Sequence, residues 1–274
     1  MRVRVLGIGL WMPGFPDPAS WLSGQPLTGV GADAPNAAVQ AKMRRRSSLL
    51  MNMVADVAAQ ASAQADLPLS RLRIVVGSAF GELGTMVEML DEREGDGLLS
   101  PMRFQNSVHN AAAGQLSIAH RNKQPTMSLA AGNDTVAMVL LEAMTLLALG
   151  GGEVIAIVAD EPLPQSIRPG HRAIAVAAAL VLGAEVGPPP PSTRAVLEDL
   201  REVATATPGA DRPLEVDGPT AAILPLMAAL ARGPEALARG RAGRVAVSPA
   251  EDPRWSIDVR DARQTRDAQG PGSA

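Results

Sequence analysis

Few groups in this chain could do chemistry. Cysteine is absent, which removes thiol nucleophiles, disulfides and thiolate metal sites together. The three histidines, His109, His120 and His171, have neither the H-x-x-x-H nor the H-E-x-x-H spacing of a zinc site, so no metal is expected. Ser128, within Met127-Ser128-Leu129-Ala130-Ala131-Gly132, is a candidate nucleophile by residue type. It lacks the G-x-S-x-G elbow, and no histidine is spaced to activate it. Gly77, Gly81 and Gly84 run G-x-x-x-G-x-x-G, the wrong spacing for a dinucleotide fingerprint. Arg44, Arg45 and Arg46 form the only dense basic run. It suits an acidic protein partner, and equally a solvated helix start with internal ion pairs.

The elements that would hold these groups follow from composition and period. The chain has 274 residues, 46% of them hydrophobic and only 2% aromatic. A large core of Ala, Val, Leu, Ile and Met is affordable at that length. A net charge of −3 argues against general nucleic-acid binding, and so few rings argue against base-stacking platforms. Pro13 and Gly14 break the apolar start well short of a membrane span, so a first strand and a cytoplasmic location are expected.

Arg2 to Leu10 reads as a strand, followed by loop from 15 to 40 with a short helix near Trp21. Leu50, Met53, Val54, Val57, Ala58 and Ala61 fall on one stripe of a helix spanning Ala41 to Ala65. Further helices are expected at Gly81–Glu94, Val108–Ala119 and Asp134–Leu149, with strands at Arg73–Gly77, Thr126–Ala130, Val154–Ala159 and Ile174–Leu182. The order β-α-β-α-α-β-α-β-β, with fully apolar strands, implies a layered α/β sheet covered on both faces. Pro188 to Pro191 reads as a rigid linker. After it, helices at Arg194–Val203 and Thr220–Ala231 and strands at Arg244–Val247 and Ser256–Val259 are expected. The divisions are 1–187 as the main unit, 188–260 as linker and a reduced segment on the same core, and 261–274 as a disordered tail.

Phe104-Gln105-Asn106-Ser107-Val108-His109-Asn110-Ala111-Ala112-Ala113-Gly114 and the Met127–Gly132 run together resemble the core of a β-ketoacyl synthase. In that family an N-S-V-x-N-x-x-A-G-type helix start leads to a strand ending in a Thr-Ala-Cys-x-x-Gly elbow. Leu6-Gly7-Ile8-Gly9-Leu10 and Val76-Gly77-Ser78-Ala79-Phe80-Gly81 resemble its first strand and its second, Gly-rich strand and turn. The resemblance covers about residues 1 to 185 and implies a thiolase-like half-fold with a truncated C-terminal segment. It puts Leu129, between Ser128 and Ala130, where the family has its cysteine, and a hydrocarbon is no nucleophile, base or donor. The family's later histidine motifs are also missing, since His171 alone follows the elbow.

Within the family the chain is similar to chain-length factors, the cysteine-less subunits that pair with an active ketosynthase, and to the short ones of aryl polyene and related polyene clusters. That similarity implies a non-catalytic, cytoplasmic subunit with no cofactor, a ketosynthase partner and an acyl carrier protein bearing the growing chain. It makes Phe104, Gln105, Asn106, Val108, His109, Met86 and Met138 candidates for the tunnel or interface, and Arg44, Arg45 and Arg46 candidates for carrier docking. It also implies that the strand at Thr126–Ala130 extends across the dimer into the partner's sheet. Plain core packing is an alternative for the methionines, as is a backbone-bonded histidine for His109. Two other functions stay open: an acyltransferase or hydrolase using Ser128 or His109, and a homodimeric acyl-binding protein.

Overall fold

The computed structural model describes residues 1–27, 47–97, 100–169, 173–203, 216–233, 243–249, 252 and 254–262. Arg44, Arg45, Arg46, His171, residues 41–46 of the expected first long helix and 263–274 of the expected tail lie outside these.

Among the described residues, eight strands make one mixed sheet. They are β1 (Arg2–Trp11), β2 (Arg73–Gly77), β3 (Thr126–Leu129), β4 (Glu153–Asp160), β5 (Val176–Ala184), β6 (Ala195–Glu202), β7 (Gly243–Ala246) and β8 (Trp255–Arg260). Their order is β3-β2-β4-β5-β1-β6-β8-β7. β2 pairs in parallel with β3 and β4, and every other pairing is antiparallel. β3 is therefore an edge strand.

Helices cover both faces, as the apolar strands require. α1 (Pro18–Leu22), α6 (Thr135–Gly150) and α7 (Leu224–Ala231), with the 3-10 turn Pro219–Ile223 before α7, bury one cluster that includes Trp21, Val139, Leu140 and Leu226. α2 (Leu49–Ala65) and α5 (Ala111–Ala119) bury the other, including Leu50, Met53, Val57 and Leu116. α3 (Leu83–Asp96) and the short α4 (Pro101–Asn106) complete the described helices. The run Gly132–Gly150 is long and apolar enough to cross a membrane by length and composition. Its buried stripe of Val136, Val139, Leu140, Ala143 and Leu147 packs on the sheet instead, as a core helix does.

Two glycines of β1 set the distance between sheet and helix. A Cβ on Gly7 would stand 2.1 Å from the Ala61 carbonyl oxygen, and one on Gly9 2.2 Å from that of Val57. At this close approach Gln64 Oε1 accepts the Ile8 amide and Gln60 Oε1 the Leu10 amide, both at 3.1 Å. β6 pairs only with residues 2 to 5 of β1, so the two glutamines satisfy amides the sheet leaves unpaired.

The expected stripe of α2 is buried as read, but this helix starts at Leu49, where the Ser48 side chain caps it. α4 was not foreseen, although Ser100 as cap and Pro101 as first residue are a helix start. The expected helix at Arg194–Val203 is strand β6. Its Glu, Leu and Arg residues favour a helix in isolation, but the free edge of β1 accepts Ala195, Val196 and Leu197 as buried ladder residues. Asp199, at φ +53, sits in the register shift between Glu198 and Arg201, a bulge that fits the segment against β8. The stretch before β6 is tied to the sheet too. The buried Arg4 guanidinium donates to the carbonyls of Val186 at 3.0 Å, Pro188 at 3.2 Å and Gly187.

Candidate functional site

The elbow lies where β3 meets α6. Leu129 is the last residue of β3, paired with Gly77, and its side chain packs on the α6-side core. A residue whose charge a helix dipole stabilises must stand at a helix start, and here the chain needs the turn Gly132–Asp134 before α6 begins at Thr135. Gly132 takes φ +54, and the Thr135 hydroxyl accepts the Ala131 amide at 3.0 Å and donates to the Gly132 carbonyl at 2.7 Å. Asp134 is the N-cap residue of α6, and Asn133 is exposed within the turn before it. Neither Leu129 nor Asn133 has a nucleophilic side chain. Arg254, from the segment leading into β8, approaches the turn with its Nη2 3.7 Å from Asp134 Oδ2.

Ser128 faces α5, because Thr126, two residues earlier, meets Ser117 of α5 hydroxyl to hydroxyl at 2.9 Å. Its Oγ is buried without a hydrogen-bond partner among the described residues. Ala130 is exposed just beyond the strand. His109 does not reach Ser128. Its Nε2 is 3.0 Å from the Ser78 carbonyl oxygen, which can only accept, so this nitrogen carries the proton. The ring edge packs on Gly81, where a Cβ would lie 2.9 Å from His109 Cδ2. The Ser78 amide in turn donates to the Leu129 carbonyl at 3.2 Å. His109 and the elbow are thus joined through backbone, with no nucleophile–base pair between them.

The remaining candidates separate into two groups. Phe104 is 62% exposed and Val108 42%, with Gln105 exposed and Asn106 half-buried on the same segment. Ile118 on α5, Met127 on β3 and Leu141 on α6 are further exposed apolar residues on the elements at and beside the open β3 edge. Met86 is exposed on α3, whereas Met138 is half-buried and packs on the core. The helix of Met86 is joined to the Phe104 segment, with Arg103 Nη1 2.7 Å from Glu92 Oε1.

Residue patterns gave no hint of the buried carboxylates behind the site. Asp160, at the end of β4, accepts Ser78 Oγ at 2.6 Å, the Phe80 amide at 3.2 Å and the Thr220 hydroxyl. Glu161 accepts the Leu50 amide at 2.6 Å, and Glu82 accepts Ser48 Oγ at 2.7 Å and Thr85 Oγ1 at 3.0 Å. Burial raises the pKa of all three. Only local motifs are visible in sequence, and these partners are 82, 60 and 111 residues apart. Among the described residues no group of three or more His, Cys, Asp or Glu could hold a metal.

Burial, reinforced by Glu161, pushes Glu82 from 4.5 up to about 7. Because the folded value is the higher one, the stabilisation is complete below about pH 4.5 and is lost as pH rises through about 7. The swing is about 3 kcal/mol at most. Glu82→Gln keeps an acceptor for Ser48 and is expected to match the parent's melting temperature near pH 5 and exceed it by several degrees at pH 8. Thermal melts across that range test this.

The family model described as β-ketoacyl synthase, N-terminal domain, matches residues 19–219. No curated protein matches the chain. Among solved structures, the ketosynthase ApeO in complex with its chain length factor ApeC from Xenorhabdus doucetiae aligns with a TM-score of 0.68 at 19% identity, over 94% of this chain and 99% of that one. The ishigamide ketosynthase/chain length factor aligns at 0.60 and 16%, over 74% and 67%. A type II polyketide acyl-carrier protein in complex with its ketosynthase bound to the hexaketide aligns at 0.58 and 16%, over 74% and 68%. The mixed α/β fold with a single sheet is that of thiolase-like ketosynthase structures.

Proposed function

Because this chain belongs to the β-ketoacyl synthase N-terminal-domain family, we propose that it is the family's non-catalytic partner: a chain-length-factor-type cytoplasmic subunit that pairs with an active ketosynthase and shapes its acyl tunnel. The observation that carries this reading is a family elbow in a chain with no cysteine, with Leu129 at the position the resemblance gives to the nucleophile. Residues 1–187 are then the synthase-like unit, and 188–260 the reduced segment that completes its sheet. The alignment with the ketosynthase and chain length factor complex, over 94% of this chain and 99% of that one, also supports the reading.

The open edge of β3 and the exposed Phe104, Val108, Ile118, Met127 and Leu141 make the partner-facing surface. An edge strand flanked by apolar side chains is a liability unless covered, and a homologous subunit laid along it gives an interface of obligate type. Gln105, Asn106 and His109 border that surface, with Met86 and Met138 as further contributors to the tunnel wall. Arg44, Arg45 and Arg46 are proposed to dock the acyl carrier protein.

The alternative using Ser128 is disfavoured by its buried, unpartnered hydroxyl and by His109 bonding elsewhere. Co-expression with ketosynthases of polyene-type clusters, followed by sizing, tests the proposal. A stable one-to-one complex is expected. A homodimer that ignores every ketosynthase would point to the acyl-binding alternative.

A further inference from the structure

Four residues from four separate parts of the sequence form one line through the interior, the first three joined by side chains and the last through the Ser78 backbone carbonyl. Thr220, in the turn before α7, donates its hydroxyl to Asp160. Asp160 accepts Ser78 Oγ at 2.6 Å through its other oxygen, and Ser78 accepts the His109 Nε2 proton at its carbonyl, 3.0 Å away. Ser78 Oγ also accepts the Gly81 amide at 2.8 Å, which holds the turn that His109 packs against. Thr220, Asp160 and Ser78 are buried. A carboxylate accepts only, so three donors leave Asp160 with its bonds fixed in direction, and among the described residues no cation pairs with it. A buried polar chain of this kind is stiff when every member is satisfied and costly when one is removed.

The line begins in the C-terminal segment and ends beside the most exposed apolar surface near the elbow. His109 is five residues after Phe104 and one after Val108. We propose that Thr220, Asp160 and Ser78 act as positioning residues, through which the C-terminal segment sets the stance of His109 and the Phe104–Val108 surface without touching a partner. This rests on that surface being the ketosynthase-facing one, but its mechanical half does not. The C-terminal segment thus has a role besides completing the sheet: a change there alters partner binding at a distance.

The test uses the full chain and two readouts. Thr220→Val removes the hydroxyl and keeps the shape, Thr220→Ser restores the donor, and Leu226→Val perturbs the same segment outside the line. Amide hydrogen exchange is followed at Gly81 and at Ala111, whose amide donates to the Val108 carbonyl. Thr220→Val is expected to speed exchange at both by about tenfold or more. Thr220→Ser is expected to return it to the parent rate, and Leu226→Val to leave it within about twofold. Equal loosening in Leu226→Val, or none in Thr220→Val, overturns the proposal. Affinity for a ketosynthase that binds the parent is then compared. A tenfold loss in Thr220→Val, recovered in Thr220→Ser, supports it, and unchanged affinity despite loosened exchange overturns the link to the partner. If no ketosynthase binds the parent, the functional reading fails while the exchange result still decides the mechanical half.

Discussion

Gly9→Ala is expected to cost at least about 3 kcal/mol and to leave the chain mostly insoluble. The new methyl would sit 2.2 Å from the Val57 carbonyl oxygen and 3.0 Å from its carbon, and backbone inside a helix cannot swing aside as a side chain can. α2 would have to lift from β1. That would open the cluster of Leu50, Met53, Val57 and Ala61 and pull Gln60 from the Leu10 amide. Gly95→Ala is the control. It lies inside α3, a Cβ there meets nothing within 4 Å, and alanine gains about 0.5–1 kcal/mol over glycine in a helix. Soluble yield and denaturant melts separate the two, and a Gly9→Ala variant as stable as the parent would mean that α2 does not lie on β1 in this register.

Phe104→Asp should reduce affinity for the ketosynthase by about 100-fold or more, while the isolated subunit melts as before. In the free chain Phe104 is 62% exposed, so little native packing is lost. At the centre of a subunit interface an aromatic anchor contributes about 2–4 kcal/mol, and a buried unpaired carboxylate adds to the loss. Val186→Asp is the matched control, on the exposed loop after β5, and should bind as the parent does. An unaffected Phe104→Asp complex would move the partner surface away from the α4–α5 segment.

Much of the fold could be read from local pattern. The apolar runs of β2, β4 and β5 and the stripe of α2 bury core residues in a period that tertiary context merely confirms. β6 misled because residues 195–202 are good helix formers, and only the free edge of β1, 190 or more residues upstream, makes them a strand. The resemblance puts the motif on Leu129, but the start of α6 at Thr135, after a turn at Gly132 held by the Thr135 hydroxyl bonds, is something no spacing rule reveals. The buried line from Thr220 to His109 had no sequence signature at all, since each contact joins residues 31 to 82 positions apart. The proposed function rests on the opposite kind of evidence, a missing residue type, which needs no geometry.

The most direct measurement is peptide-resolved mass spectrometry of the purified complex after loading with an acyl carrier protein that bears an acyl group. An acyl thioester on the ketosynthase cysteine and no adduct on any peptide of this chain are expected. An acyl group covalently attached to this chain, at Ser128 or elsewhere, would contradict the proposed function.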